Sequence, residues 1–321
     1  MTSVTKTLLG PAMWMLLLLL VAGSKAQGGV ETHEFSVEPG GHLTVDAPRG
    51  TVRVRGTSQN EAASLEGEPA GTVRVEIRRR GLPPMTRIQV RQDGDDILVR
   101  GHSVPLLHHL PPWSWRQVRI DVVVPANFKV DLATRGGGIE VRDLTGEVEA
   151  KSSGGGLAFR DIVGTIRGRT AGGRVEVDHC HGEVDVRTGG GRIEVDDLDG
   201  NLVAATAGGR IDVSDIAGDV EVRTLGGRIE ALEVNGELTA RSAGGRIRAR
   251  FDGAPAGDLE TTGGSIDVTF PPNFGADLDA RALGGRVNVD YAAINNEGER
   301  LRLRTIGGAI RVHAAPGEDD R

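Results

Sequence analysis

The stretch Thr206–Leu232 reads TAGGRIDVSDIAGDVEVRTLGGRIEAL and contains the unit Thr-x-Gly-Gly-Arg-Ile twice, 18 residues apart. Gly-Gly pairs recur around it at almost the same spacing. A fixed short period is typical of proteins built from stacked repeats, in which each repeat contacts only its neighbours. The pairs end at Gly138, Gly156, Gly173, Gly191, Gly209, Gly227, Gly245, Gly264, Gly285 and Gly308.

Each repeat contains two segments in which apolar and polar residues alternate. Val220 and Val222 alternate in one segment, and Ile193 and Val195 in the other. This period of two predicts strands with one buried face. We therefore predict an all-β fold, a parallel β-solenoid with about two strands and 18 residues per coil and an irregular N-terminal cap. A second corner ends at Gly146, Gly164, Gly182, Gly200, Gly218 and Gly236, and it reads Asp-x-x-Gly in all of these except those that end at Gly182 and Gly236.

The two kinds of corner lead to specific expectations. We expect the Gly-Gly pairs to supply positive φ angles, which glycine adopts without steric cost. Aspartate at the first position and glycine at the fourth suit a type I turn. We also expect the inward position of Asp143, Asp161, Asp197 and Asp215 to be taken over by Phe251, Phe270 and Tyr291 in the last repeats, where these rings would plug the core.

The N-terminal residues 1–26 have the features of a secretory signal. They contain a lysine near the start, the apolar run Met13–Ala22 and the ending Ser24-Lys25-Ala26. An uncleaved anchor is the alternative. We predict a signal peptide at 1–26, N-terminal strands and cap at 27–120, solenoid repeats at 121–313 and a disordered tail at 314–321. The mature chain would be exported to the periplasm, the medium or the cell surface, without a transmembrane segment.

Composition narrows the function classes. The formal net charge is −7 over 321 residues, which argues against nucleic-acid binding through net charge. Glycine is abundant, with 48 residues, but alternates with Val and Ile rather than following a collagen period. Cys180 is the only cysteine, so no disulfide can form within one chain.

The chain resembles the bacterial putative-adhesin family of exported β-strand-repeat proteins of unknown function. The elements that carry the resemblance are FSVEPGGHLTVDAPRGTVRV from Phe35, VRIDVVVPANFKVDLATRGGGIEVRDLTGEVEAKSSGGG from Val118, and the serial T-x-G-G-x-[IV]-x-V units. It extends over about residues 35–312. It implies a right-handed parallel β-solenoid outside the cytoplasm and transfers no catalytic residue to this sequence.

Metal binding is a weak hypothesis for this sequence. Calcium-binding nonapeptide repeats also give coils of 18 residues, but Ile193 and Val195 stand where that motif needs glycine and aspartate. In His179, Cys180 and His181, neighbouring strand residues face opposite ways, so all three cannot reach one zinc ion. We expect Cys180 to be a small buried residue, and we predict no metal and no cofactor.

Two columns of outward-facing cations are the candidate ligand-binding residues. The first, which we call the corner column, follows the Gly-Gly corner. The second, the strand column, precedes it, and we expect both columns to line one edge and bind an acidic polymer such as an anionic polysaccharide. An ordinary solvated surface is the alternative. The corner column is Arg174, Arg192, Arg210, Arg228 and Arg246, and the strand column is Lys151, Arg169, Arg187, Arg223 and Arg241.

A second candidate segment is GHSVPLLHHLPPWSWRQV, residues 101–118. Trp113 and Trp115 could form a sugar-stacking surface or a partner anchor, or could cover the open end of the first coil. Because the sequence lacks a nucleophile elbow, a phosphate loop and a metalloprotease helix, we predict a non-catalytic, adhesin-like or envelope-associated binding or scaffold protein. Its partner would be an anionic polysaccharide, an envelope component or a protein. A polysaccharide-active β-helix enzyme and an envelope-stress accessory protein are the alternatives.

Overall fold

The computed structural model describes residues 25–27, 29–48, 50–57, 71–79, 86–103, 118–271, 276–290 and 298–314. Within these ranges the regular secondary structure is β-strand throughout, which confirms the predicted all-β fold. The strands belong to one hydrogen-bonded sheet. In this part of the chain, no helix has the length and apolar character needed to cross a membrane.

The strands fall into three groups along the chain. The first group is β1 (Lys25–Gln27), β2 (Val30–Ser36), β3 (His42–Ala47), β4 (Thr51–Thr57), β5 (Thr72–Arg79), β6 (Thr86–Asp93), β7 (Asp96–Ser103), β8 (Val118–Pro125) and β9 (Lys129–Thr134). The second is β10 (Ile139–Ser152), β11 (Leu157–Thr170), β12 (Val175–Thr188), β13 (Ile193–Asp199), β14 (Leu202–Thr206), β15 (Ile211–Ala217), β16 (Val220–Thr224), β17 (Ile229–Asn235), β18 (Glu237–Ser242), β19 (Ile247–Phe251), β20 (Ala256–Thr261) and β21 (Ile266–Phe270). The last is β22 (Asp277–Ala282), β23 (Val287–Val289), β24 (Arg300–Thr305) and β25 (Ile310–Ala314).

Most strands pair in parallel, in two ladders. Ladder 1 has the order β8, β4, β10, β11, β12, β13, β15, β17, β19, β21, β25, β23. Ladder 2 has the order β7, β3, β9, β10, β11, β12, β14, β16, β18, β20, β24, β22. The long strands β10 to β12 pass through the Asp-x-x-Gly corner and contribute one half to each ladder. We call a ladder-2 segment, the corner after it and the next ladder-1 segment a layer.

Residues one repeat apart lie opposite each other in both ladders. In ladder 1, Ile211 pairs with Ile193 on one side and with Ile229 on the other. In ladder 2, Val220 pairs with Leu202 and Leu238. The inward-facing residues of each strand are fully buried, as are Ile193 and Val195 in β13 and Val220 and Val222 in β16. Each layer therefore adds a few aliphatic side chains to one continuous core.

The Gly-Gly corners do not supply positive φ angles, so that expectation was wrong. The φ angles of these glycines lie outside the left-handed region. Glycine is required there because the layers come very close. A Cβ added at Gly227 would collide with the carbonyl oxygen of Gly209, and one at Gly245 with that of Gly227. The repeated second glycine is thus a packing requirement between layers.

The Asp-x-x-Gly corner is also different from the predicted type I turn. Asp197 and Asp215 have φ angles of 53° and 57°, in the left-handed region, and both side chains are exposed rather than inward. His179 adopts the same conformation with a φ of 51°. Short polar side chains tolerate this region better than other residues, which explains the aspartates. The third residue after each of them is a glycine with a φ between 119° and 152°.

The prediction that aromatic rings replace these aspartates was wrong for Phe251. Phe251 pairs with Val234, which faces inward and directly follows the left-handed position of the neighbouring layer. The ladder register shifts between Ala231 and Val234. The layer of Phe251 therefore lacks the left-handed residue, and the ring occupies an aliphatic position of the core. Phe270 is buried and pairs with Ala314. Tyr291 lies outside the described residues.

At both ends of the stack, the layers depart from chain order. Strands β3 and β4 form a layer that lies between the layer of β7 and β8 and the layer that begins with β9. At the other end, the layer of β24 and β25 lies between β20–β21 and β22–β23. The layer of β3 and β4 and the layer of β24 and β25 therefore each have a neighbouring layer on both sides.

The repeated Pro-x-Asn-Phe motif marks the connections that skip a layer. VPANF, Val124–Phe128, leads from β8 to β9, two layers further along the stack, and Phe128 is buried. FPPNF begins at Phe270 and precedes β22, which also lies two layers further. The two junctions are alike in sequence. The sequence does not show, however, that each connection skips a layer, which another segment of the chain then fills.

Parallel stacking ends at β7 and β8. Strand β6 pairs antiparallel with β7, and β5 pairs antiparallel with β8 and with β2. These strands cover the edges that ladder 1 and ladder 2 would otherwise expose, which removes a site for edge-to-edge association.

Candidate ligand-binding groove

A buried row of hydroxyl groups fixes the Gly-Gly corners. The Thr206 hydroxyl donates to the carbonyl oxygen of Gly191 in the preceding layer at 3.0 Å and accepts from the backbone N–H of Gly209 at 3.2 Å. The Thr206 side chain is buried, and its hydroxyl satisfies one backbone acceptor and one backbone donor at the partly buried corner. The same bonds recur at Thr134, Ser152, Thr170, Thr188, Thr224, Ser242, Thr261 and Thr305.

Three members of the corner column pair with an acid two residues later in the same layer. Arg210 Nε lies 2.7 Å from the Asp212 carboxylate, and Arg228 Nη2 lies 3.2 Å from that of Glu230. Arg192 pairs with Glu194 at 3.2 Å. Arg246 pairs with Asp267 at 3.6 Å, and Arg174 is exposed.

The strand column lines two shallow depressions that continue into each other. The first, of about 510 Å³, is lined by Lys151, Arg169 and Arg187 together with buried hydroxyl residues. The second, of about 560 Å³, shares Arg187 and continues to Arg223 and Arg241. Neither depression is lined by the corner column. We call the two depressions together the groove.

Most acidic partners of the strand column lie beside the groove, and the exception is Glu260, which lines the groove near Arg241. Lys151 forms an ion pair with Glu149, and Arg187 pairs with Asp185 at 2.9 Å. Each acid is two residues earlier on the same strand and lines neither depression. A hydrogen bond from Lys151, aided by its charge, lowers the pKa of Glu149. The cations therefore face the groove while their partners compensate them from one side only.

The groove also has an apolar part. Ala205 occupies the position of the strand column between Arg187 and Arg223. Leu225, at the next corner, is 67% exposed and lines the same depression. A groove that presents cations and an exposed leucine side by side can contact both the acidic groups and the apolar faces of a ligand.

A third depression, of about 490 Å³, was not found from the sequence. It lies where β5, β8, β4 and β10 meet, and many of its cations already pair with acids, as Arg53 does with Glu140 at 3.0 Å. The alternating arginines of TVRVRG and TVRVEIRR were the available signal. Its arginines are Arg53, Arg55, Arg74, Arg78, Arg119 and Arg142.

The other candidates from the sequence are Cys180, His179 and the two tryptophans Trp113 and Trp115. Cys180 is 1% exposed and pairs with Leu198, which confirms that it is a core residue, and burial raises its pKa. His179 is exposed, with Nδ1 2.8 Å from Asp178, whose charge raises its pKa. Among the described residues no group of three metal-ligating side chains converges. Trp113 and Trp115 lie outside the described residues.

Comparisons with known proteins give structural neighbours only. No family model matches the chain, and no curated protein matches it. A putative adhesin from Parabacteroides distasonis is 12% identical, with a TM-score of 0.37, and the match covers 89% of this chain and 98% of that chain. A putative lipid binding protein from the same organism is 12% identical, with a TM-score of 0.42 and the same coverages. A putative cell adhesion protein from Clostridium sporogenes is 10% identical, with a TM-score of 0.20, and the match covers 89% and 100%.

These identities and TM-scores are too low to support any statement on function. Two of these three neighbours are described as a putative adhesin and a putative cell adhesion protein, and the third as a putative lipid binding protein. The chain is thus similar, over most of its length, to solved proteins that are described as putative adhesins.

Proposed function

We propose that the stacked layers are the coils of a parallel β-solenoid, each of about 18 residues, and that this protein is an exported, non-catalytic binding protein for an anionic polymer. The observation that carries the proposal is the groove: Lys151, Arg169, Arg187, Arg223 and Arg241 line two connected depressions, while the acids that pair with Lys151, Arg187 and Arg223 lie outside them. Strands in a ladder are about 4.8 Å apart, so the cations repel one another. A bound polyanion relieves that repulsion.

The sequence placed both cation columns on one edge, but only the strand column lines the groove. Both columns pair with acids two residues away on the same strand, as Arg210 does with Asp212 and Arg187 with Asp185. The difference that supports the strand column is that its cations line a concave surface which their paired acids Glu149, Asp185 and Glu221 do not line. We therefore assign the ligand to the strand column rather than to both.

A polysaccharide-active enzyme is the other candidate. Glycoside hydrolysis needs a pair of carboxyl groups flanking the bond that is cleaved. The carboxylates that line the groove, Asp46 and Glu260, are in different depressions, and Glu260 lies 3.8 Å from Arg241. Widely separated acids and repeated cations favour binding without cleavage.

Two matched triple variants test the proposal. Arg187→Gln, Arg223→Gln and Arg241→Gln remove three charges from the groove, and Arg192→Gln, Arg210→Gln and Arg228→Gln remove three from the corner column. Retention on immobilised polygalacturonate is measured at low and high salt. We expect the groove variant to lose salt-sensitive retention, since charge attraction is screened by salt, and the corner variant to keep most of it. Equal losses, or retention that is insensitive to salt, would contradict the proposal, and shortening of the polymer would favour the enzyme.

A further inference from the structure

We infer that the groove is a track of defined length for a single linear acidic polysaccharide, with an apolar step at Ala205 and Leu225 that receives the face of a sugar ring. This inference rests on the proposed binding function and specifies its ligand. Neither the sequence repeat nor the two cation columns alone defines where such a site begins or ends.

The ladder register shows the order of side chains along the track. Ala133 pairs with Lys151, and the column continues through Arg169 and Arg187 to Ala205. Beyond Ala205 it passes through Arg223 and Arg241. Lys151 and Arg241 are five layer intervals apart, which is about 24 Å at the usual strand spacing. The track is thus a single file of cations with one neutral position.

Both ends of the track carry a carboxylate. Arg241 pairs with Glu260 in the next layer of ladder 2, and Ala133 pairs on its other side with Asp46. Glu260 and Asp46 are exposed and line the outer ends of the two depressions. A polyanion that extended past either residue would meet a like charge, which is unfavourable at this distance. The next residues beyond the two acids in ladder 2 are Arg304 and Arg100, which line neither depression. The acids and the ends of the depressions together therefore limit the length of polymer that the track can bind.

The centre of the track is apolar. Ala207 and Ala243, at the corners beside Leu225, line the same depression as Ala205. In a water-soluble protein an exposed leucine next to arginines is a favourable contact for a ligand with both apolar and charged parts. A sugar ring has such an apolar face, formed by its C–H groups, and its acidic substituent can reach Arg187 or Arg223.

The shape of the site favours a polysaccharide chain over a membrane surface. The cations lie in a depression and in single file, so a planar array of headgroups would contact only the rim. An extended chain that lies along the stacking direction meets one cation per layer. Since both interpretations use the same charges, the experiment below contains a vesicle arm that distinguishes them.

The experiment measures the affinity of the full chain for purified oligogalacturonates of increasing length. We expect affinity to rise with length and to level off once the extended oligomer reaches about 24 Å. Glu260→Gln removes one limit, and we expect it to increase affinity only for oligomers longer than the plateau length. Continued rise with length in the unmodified protein, or equal gains for short oligomers in Glu260→Gln, would overturn the inference.

Two single variants test the apolar step. The expected effect of Ala205→Arg is opposite to that of charge attraction, and Leu225→Ser changes no charge. Ala205→Arg adds a cation and is tolerated by the fold, because Lys151, Arg169 and Arg187 already stack in three successive layers. We expect it to weaken binding, and Leu225→Ser to weaken it about fivefold, which corresponds to about 1 kcal/mol of lost apolar contact. Tighter binding by Ala205→Arg would overturn the apolar step.

The controls separate failure of this inference from failure of the proposed function. If no oligomer binds, the proposed function is wrong. If oligomers bind without a length limit, the function stands and the track does not. Vesicles of anionic phospholipid are tested in parallel, and stronger binding to them than to the plateau oligomer would overturn the polysaccharide assignment.

Discussion

The Thr305 hydroxyl donates a hydrogen bond of 2.8 Å to the carbonyl oxygen of Gly264, which lies 41 residues earlier, whereas the equivalent bond from Thr224 to Gly209 spans 15 residues. The bond has the same geometry and the same function in both places. Its longer span arises because the last layer returns to fill the gap between β20–β21 and β22–β23. Contact between layers, rather than proximity in the chain, determines the pattern.

The first prediction concerns this hydroxyl row. Thr206→Val keeps the size of the side chain but leaves Gly191 O and Gly209 N–H without their partner. We expect a loss of about 1–3 kcal/mol in the free energy of unfolding, the usual cost of unsatisfied buried polar groups. Urea unfolding measures it. Thr206→Ser is the control and should stay close to wild type, because Ser152 and Ser242 make the same bonds naturally. Equal losses in both variants would contradict the prediction.

The second prediction separates the two glycines of one corner. Gly227→Ala directs its methyl group at the Gly209 carbonyl oxygen, while a Cβ at Gly226 would lie 3.8 Å from its nearest neighbour, Ala207 O. We expect Gly227→Ala to destabilise the protein by about 3 kcal/mol through overpacking. Gly226→Ala should have little effect. Thermal and urea unfolding compare the two, and similar stabilities would show that the layers can separate at no cost.

The third prediction concerns the inserted C-terminal layer. Strands β24 and β25 have partners on both sides, whereas β22 and β23 form the last described segments of each ladder. We expect the amides of β24 and β25 to exchange with deuterium more slowly than those of β22 and β23, although they are closer to the C-terminus. Hydrogen exchange reports such local opening. Faster exchange in β24 than in β22 would mean that the layers stack in chain order.

The fourth prediction is a pH dependence at Glu147. A hydrogen bond from Lys129 at 2.9 Å and the Lys129 charge, with an added contribution from Arg167, lower the pKa of Glu147. Because the folded pKa is below the unfolded one, this contribution to stability is present above the unfolded value and is lost as the pH falls through the folded value. Wild type should therefore be more stable than Glu147→Gln at neutral pH. The difference should start to shrink near the unfolded pKa of a glutamate, about 4.3, and should vanish once the pH is below the lowered folded pKa.

Urea midpoints of the two proteins across this pH range measure the effect. Glu183→Gln serves as the control, since Glu183 occupies the matching position two layers along the same ladder. A difference between wild type and Glu147→Gln that persists at low pH would show that the carboxylate stabilises the fold by packing rather than by charge.

The sequence by itself determined the all-β class, the repeat length and the buried positions. Strand residues alternate between two faces, so Ile193, Val195, Val220 and Val222 identify the core from their spacing alone. The same reasoning placed Cys180 in the core correctly. It was wrong about the Gly-Gly corners and about Asp197, because φ angles at a corner depend on how closely the neighbouring layers approach.

Only the tertiary structure decided the order of the layers and the location of the groove. Chain order cannot show that β24 inserts before β22, because parallel pairing is equally compatible with either partner. Nor can spacing show that Arg187 faces a depression while Arg192 lies beside Glu194, since both are simply outward-facing cations near a corner. Periodicity sets which face a side chain is on, and the packing of successive layers sets what it meets there.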